Sequence, residues 1–240
     1  MLIPRPLSLT ITRIGVPLAV AIAVATAFNG ASTTTVAALA VAASGFSLVL
    51  GTRGEFARQC AQGAAYGDEE RFPLKVPPGI TFAVLPLALA LIGSALTIGP
   101  LLLATRQWVG GGFALVLLLP AAFVARLIHQ LSLRWVVLVP AGLVVADPLT
   151  LTDPVLLVRN RILGLGPADP RREPPAGSLD LRLGAGSGSC ALLLVEDADL
   201  MRRVRNRSVG VRSHLILVTP TSASLLLARA SARRIPVRSD

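Results

Sequence analysis

The stretch from Trp108 to Trp135 reads WVGGGFALVLLLPAAFVA and then RLIHQLSLRW, and it divides the chain. Its first 18 residues carry no charge, close to the length at which a helix crosses a hydrocarbon core of roughly 30 Å. Upstream lie further apolar blocks. Downstream lie short segments in which apolar and polar residues alternate, the pattern of half-buried strands. The expected architecture is an α-helical membrane domain (residues 1–131) followed by a soluble β-rich domain (residues 132–240).

Composition supports that division. Hydrophobic residues make up 53% of the 240 and charged residues 15%, against about 45–50% and about 25% in soluble chains. Lys75 is the only lysine, and the prevalence of Ala and Arg reads as a GC-rich, bacterial base composition. The net charge of +10 is unevenly placed, with nine Arg and one acidic residue from Leu200 to Asp240. Such a balance suits nucleic acid, an anionic membrane surface or loops retained in the cytoplasm; beside membrane spans the last two are favoured. Cys60 and Cys190 lie in different halves and form no spaced pair, which argues against a disulfide framework or a zinc site.

Four spans in two hairpins are expected, at about 14–31, 36–51, 80–103 and 108–125. Pro17 falls in the first turn of the first span, where proline is tolerated. A cleaved signal peptide, with Ala25-Thr26-Ala27 as the cleavage site, is the rival for this segment. Small residues (Ala19, Ala23, Ala27, Ala38, Ala42, Gly45) recur at the spacing that lets helices approach closely, although an Ala-rich genome produces the same pattern. Residues 52–75 form a polar loop with four basic residues, and Arg126 closes the fourth span. Basic residues mark the cytoplasmic side: two precede the first span and sixteen follow from Arg126 onward, against none and one in the turns between paired spans. Both termini are therefore expected in the cytoplasm, with the chain in the bacterial inner membrane.

Beyond Arg134 the period changes. RWVVLV, Pro-Ala-Gly and Leu143–Ala146 read as a hairpin. Val155–Val158 and Ile162–Leu165 are further strands, and 167–178 is a Pro-rich loop. Leu179–Leu183, GAGSGS and Cys190–Val195 read as a second hairpin, with single strands at Arg202–Val211 and Ser213–Val218. Thr219-Pro220 then starts a helix to about Arg234, with Leu225, Leu226 and Ala230 toward one stripe.

This order of short strands before one C-terminal helix resembles a bacterial pleckstrin-homology-like domain. The phrases RWVVLVPAGLVVADPLTLTDPVLLVRNRI (134–162) and LILVTPTSASLLLARASARR (215–234) resemble those of actinobacterial multi-pass membrane proteins that carry such a domain. The resemblance covers residues 126–240 and implies a fold and a location. It implies no activity, since a fold does not license one.

Each candidate site has a bland alternative. His129 reads as an interfacial side chain and His214 as a strand residue. Ser208, His214 and Asp197 offer the residue types of a hydrolytic triad without a nucleophile elbow. Gly184, Gly186 and Gly188 fit a hairpin turn, because the dinucleotide pattern needs a sixth-position glycine and a following helix. Glu196, Asp197 and Asp199 lack calcium-loop spacing and read as a solvated turn. No catalytic, cofactor or metal residue is assigned. The run MRRVRNRSVGVR is the one functional candidate. In a single strand Arg203, Arg205 and Arg207 share a face, and with Arg212 they would meet anionic lipid head groups. Local pairing with the acidic turn is the alternative; nucleic acid is disfavoured, because basic-aromatic interleaving is absent.

The expected role is a membrane-tethered interaction or regulatory module with no enzymatic activity. Its expected partners are the bilayer, anionic lipid, a protein bound through residues 132–240, or a second copy of the chain. A small oligomeric transporter or channel subunit is the alternative, disfavoured because no charge lies within the spans away from their ends.

Overall fold

A computed structural model describes residues 5–28, 54–77, 79–80, 87–88, 91–92, 102–185, 187–204 and 207–238, with 35–36, 38–39, 42–43 and 46 as isolated positions. The chain divides into two compact units. One comprises Met1–Pro6, Ala57–Pro78 and Gln130–Asp240; the other comprises Leu7–Phe56 and Gly79–His129.

In the second unit, α1 spans Pro6–Phe28. It starts at proline, whose fixed φ and missing N–H suit the first helical position, and it takes in Arg13, because a charge does not end a helix as proline or glycine does. Two further segments, α3 (Trp108–Val116) and α4 (Leu118–Ser132), form one run of 25 residues broken only at Leu117. Pro120 accounts for the break: lacking an N–H, it leaves the carbonyl of Val116 without its intrahelical donor. Ala121, Val124, Ala125 and Ile128 form a stripe at helical spacing, packed with Ile14, Ala88, Leu91 and Ile92. On α3 and the other faces of α4, Trp108, Phe113, Leu119 and Phe123 are 62–74% exposed.

A four-helix membrane domain is not what the structure shows. Among the described residues, only Trp108–Ser132 is long and apolar enough to cross a membrane by length and composition. In α1 the apolar stretch that qualifies, Pro6–Val20, is shorter than the roughly 20 residues a span needs. Most of the expected spans at 36–51 and 80–103 lies outside the described residues. The fourth expected span also ends later than Arg126, at Ser132, since arginine is a good helix former with a stem that can lie along apolar surface.

The β-rich unit begins earlier than its sequence pattern. The expected polar loop at 52–75 contains α2 (Gly54–Gln62) and β1 (Glu70–Pro73). Ala57, Cys60 and Ala61 bury one stripe of α2, and Phe72 buries the inward side of β1. These stretches are too short, and too mixed with charge, to announce themselves. An antiparallel meander follows, with strand order β1–β2–β3–β4, where β2 is Trp135–Val139, β3 Gly142–Ala146 and β4 Val155–Val158. The second sheet has order β5–β7–β8–β6, with β5 at Ile162–Pro167, β6 at Leu179–Asp180, β7 at Cys190–Val204 and β8 at Arg207–Val218. Finally α5 covers Ala223–Ala232. Phe72, Leu138, Leu143, Leu157, Leu165, Leu192, Ile216 and Leu226 belong to one core shared by both sheets and α5.

Two pairings depart from expectation. Leu179–Asp180 does not pair with Cys190–Val195: β6 runs parallel to β8, and β7 already has a neighbour on each edge. The expected separate strands at 190–195, 202–211 and 213–218 are instead two long ones, β7 and β8, whose ladder closes at Val204↔Arg207. The C-terminal residues lie along β5, where the N–H of Leu165 donates to Pro236 O (2.8 Å) and that of Arg238 to Leu165 O (2.9 Å).

Candidate functional site

The outer part of the β7–β8 hairpin is the most conspicuous surface feature of the β-rich unit. Its ladder runs from Ala198↔Ser213 to Val204↔Arg207, beyond an irregularity between Leu193 and Ala198. Six steps at about 3.4 Å carry it roughly 20 Å. One edge is braced: the N–H of Thr152 donates to Met201 O at 2.9 Å and that of Arg203 to Thr150 O at 2.8 Å. Thr152 Oγ1 lies 2.9 Å from Ser208 Oγ.

Directly opposed residues of an antiparallel pair share a face, and successive residues alternate. The register therefore places Arg202, Val204, Arg207 and Val209 on one face, and Met201, Arg203, Ser208 and Arg212 on the other. The expected row of Arg203, Arg205 and Arg207 is thus divided: Arg203 and Arg207 belong to different strands and opposite faces. Arg205 lies outside the described residues. Arg212 is drawn into an ion pair with Asp199 at 2.9 Å, both about four-fifths exposed, which contributes little in water. Between the arginines stand Met201, Val204 and Val209, each about half exposed. Described arginines and exposed apolar side chains therefore alternate around the end of the hairpin.

The remaining candidates are scattered. His214 Nδ1 stands 3.3 Å from Asp197 Oδ1 on the exposed surface. Ser208 is six residues from His214 along β8, roughly 20 Å, so the geometry does not assemble a triad. Glu196, Asp197 and Asp199 lie within β7 and not in a turn, and no group of metal-ligating side chains occurs among the described residues. The loop around Gly184 and Gly188 links β6 to β7; Gly186 lies outside the described residues. Both described glycines have positive φ, +85° and +76°, a conformation in which glycine carries no penalty. Lys75 Nζ donates to Ser187 O at 2.6 Å, so this loop holds the lysine. His129 Nδ1 lies 2.8 Å from Thr10 Oγ1, joining α4 to α1. Cys190 is buried, and desolvation pushes its thiol up to about 11, which makes it a poor nucleophile.

One pair of polar residues escaped the reading of the sequence. Arg134 and Asp147 form a bidentate ion pair, with Nε to Oδ1 at 2.9 Å and Nη2 to Oδ2 at 2.8 Å, their side chains 1% and 0% exposed. The guanidinium also donates to Leu181 O (2.8 Å) and Lys75 O (3.2 Å), and Asp147 Oδ1 accepts the N–H of Leu149. Four chain segments thus meet at one charge pair, whose polar atoms are satisfied as burial demands. Its place in the core assigns it to holding the fold. No protein-family model matches this chain, and comparison with curated proteins and with solved structures finds no match.

Proposed function

We propose that this chain is a membrane-anchored interaction module of the bacterial plasma membrane. The run Trp108–Ser132 serves as the anchor, and the β-rich unit stands on the cytoplasmic side and presents the end of its β7–β8 hairpin to anionic lipid head groups. The observation that carries the reading is the exposed mixture at that hairpin: Arg202, Arg203 and Arg207 interleaved with Met201, Val204 and Val209. Basic side chains near an anionic leaflet are worth about 1 kcal/mol each. Three of them give roughly 3 kcal/mol, to which partial burial of the apolar residues adds. Division of the arginines between two faces suits a hairpin that enters the head-group layer end-on, where both faces meet phosphate. The exposed apolar sides of α3 and α4 support the anchor, because the core helix of a soluble protein buries such residues. The arginine excess after Leu200 supports the cytoplasmic side.

The test is a nitroxide attached at Val204→Cys in the full-length protein, reconstituted in nanodiscs; Cys60 and Cys190 are buried and give little background. Contact predicts that a lipid-soluble relaxant reaches the label in anionic discs, and that high salt or Arg203→Glu with Arg207→Glu abolishes the effect. Equal exposure to water in anionic and zwitterionic discs would overturn the reading.

A further inference from the structure

A second basic site lies in the β-rich unit, away from the hairpin end. An open cleft of about 310 Å³ is lined by Asp68, Pro140, Arg159, Ala232, Arg233 and Arg234. Three guanidinium groups therefore border one cavity. Arg233 is already shared, with Glu70 Oε1 at 3.3 Å and Asp68 Oδ1 at 3.9 Å. Arg159 and Arg234 have no carboxylate within ion-pair distance among the described residues. The Arg159 guanidinium is held at one edge by Nη2 donating to Pro140 O at 2.6 Å, while its Nε is buried and has no hydrogen-bond partner. An unpaired buried donor in a native site asks for an explanation.

The backbone supplies an independent sign. Arg234 sits at φ +59°, just past the end of α5, in a position usually given to glycine because a Cβ is disfavoured there. Here the position carries an arginine that lines the cleft. The helix C-terminus would repel an anion, but its last carbonyls are engaged: Arg229 O by Arg233 N–H, Ala230 O by Ile235 N–H and Ser231 O by Arg234 N–H. Strain retained at a residue that lines a cavity points to use of the side chain.

We propose that this cleft binds a phosphate-bearing anion, a phosphomonoester group held by Arg159, Arg233 and Arg234. Guanidinium forks match phosphate oxygens two at a time, and a phosphomonoester has three terminal oxygens to meet three forks. A single carboxylate would leave one fork unused. The proposal stands apart from the hairpin contact and does not depend on it.

The experiment is thermal unfolding of the full-length protein in zwitterionic nanodiscs, with inorganic phosphate titrated against chloride at matched ionic strength. A second arm replaces part of the lipid with phosphatidic acid. Stabilisation by phosphate with no response to phosphatidic acid assigns the site to soluble phosphate compounds. Stabilisation by phosphatidic acid that phosphate competes away assigns it to a lipid head group. The deciding variant is Arg234→Gly, which relieves the left-handed residue and so folds at least as well as the parent. It is expected to weaken phosphate binding about tenfold or more, as for loss of one charge-assisted hydrogen bond. A response to neither ligand, or a response undiminished in Arg234→Gly, overturns the proposal.

Discussion

At the scale of the residue, the buried Arg134–Asp147 pair is the most consequential contact in the β-rich unit. Removing one partner leaves an uncompensated charge in the core, at a cost of about 3–5 kcal/mol. Asp147→Ala and Arg134→Met should each lose stability on that scale by denaturant unfolding, and Arg134→Met combined with Asp147→Leu should recover most of the loss. The pair was legible in principle. The hairpin pairs Trp135 with Ala146, so one further step of the same register sets Arg134 opposite Asp147. What hid it is that periodicity marks strands, whereas only pairing marks contacts. Cys190 gives a second prediction. Its thiol rises from 9.0 to about 11 in the folded chain, so between those values the folded state binds more protons than the unfolded one. Stability is then complete below about pH 9 and falls as pH rises toward 11, by about 2–3 kcal/mol. Cys190→Ala should lack that alkaline decline in unfolding measurements.

Among the elements, the β2–β3 hairpin was readable because its strands are β-branched and its break is a proline and a glycine. Gly142 has a further reason to be glycine: a Cβ there would collide with the carbonyl of Leu157 on β4. Gly142→Ala should therefore destabilise the sheet by about 1–3 kcal/mol, visible as a lower unfolding midpoint. The outer hairpin was misread as one strand because no glycine or proline separates Val204 from Arg207; Asn206 is a turn former, and a weak signal alone. One unseen reversal of the chain moved Arg203 and Arg207 to opposite faces. Leu179–Asp180 joining β8 in parallel could not be read, since two residues carry no period and the partner lies more than thirty positions away.

For the molecule as a whole, hydropathy marked Trp108–Ser132 as an anchor but overcounted its companions. An apolar block reports only that its residues avoid water, and a helix packed on other helices satisfies that as well as lipid does. α1 shows this, with Ile14 packed among Ala121, Val124 and Ile128. The β-rich unit was read from its alternation, whereas β1 was hidden in a charged stretch before the third expected span. The central claim is that Trp108–Ser132 lies in lipid while the β-rich unit lies in the cytoplasm. Cysteine labelling with a water-soluble maleimide tests it most directly, comparing Phe113→Cys with Ser208→Cys in intact cells and inverted vesicles. Phe113→Cys should be protected in both, and Ser208→Cys should react in inverted vesicles alone. Labelling of Phe113→Cys from water as readily as Ser208→Cys, or labelling of Ser208→Cys in intact cells, would contradict it.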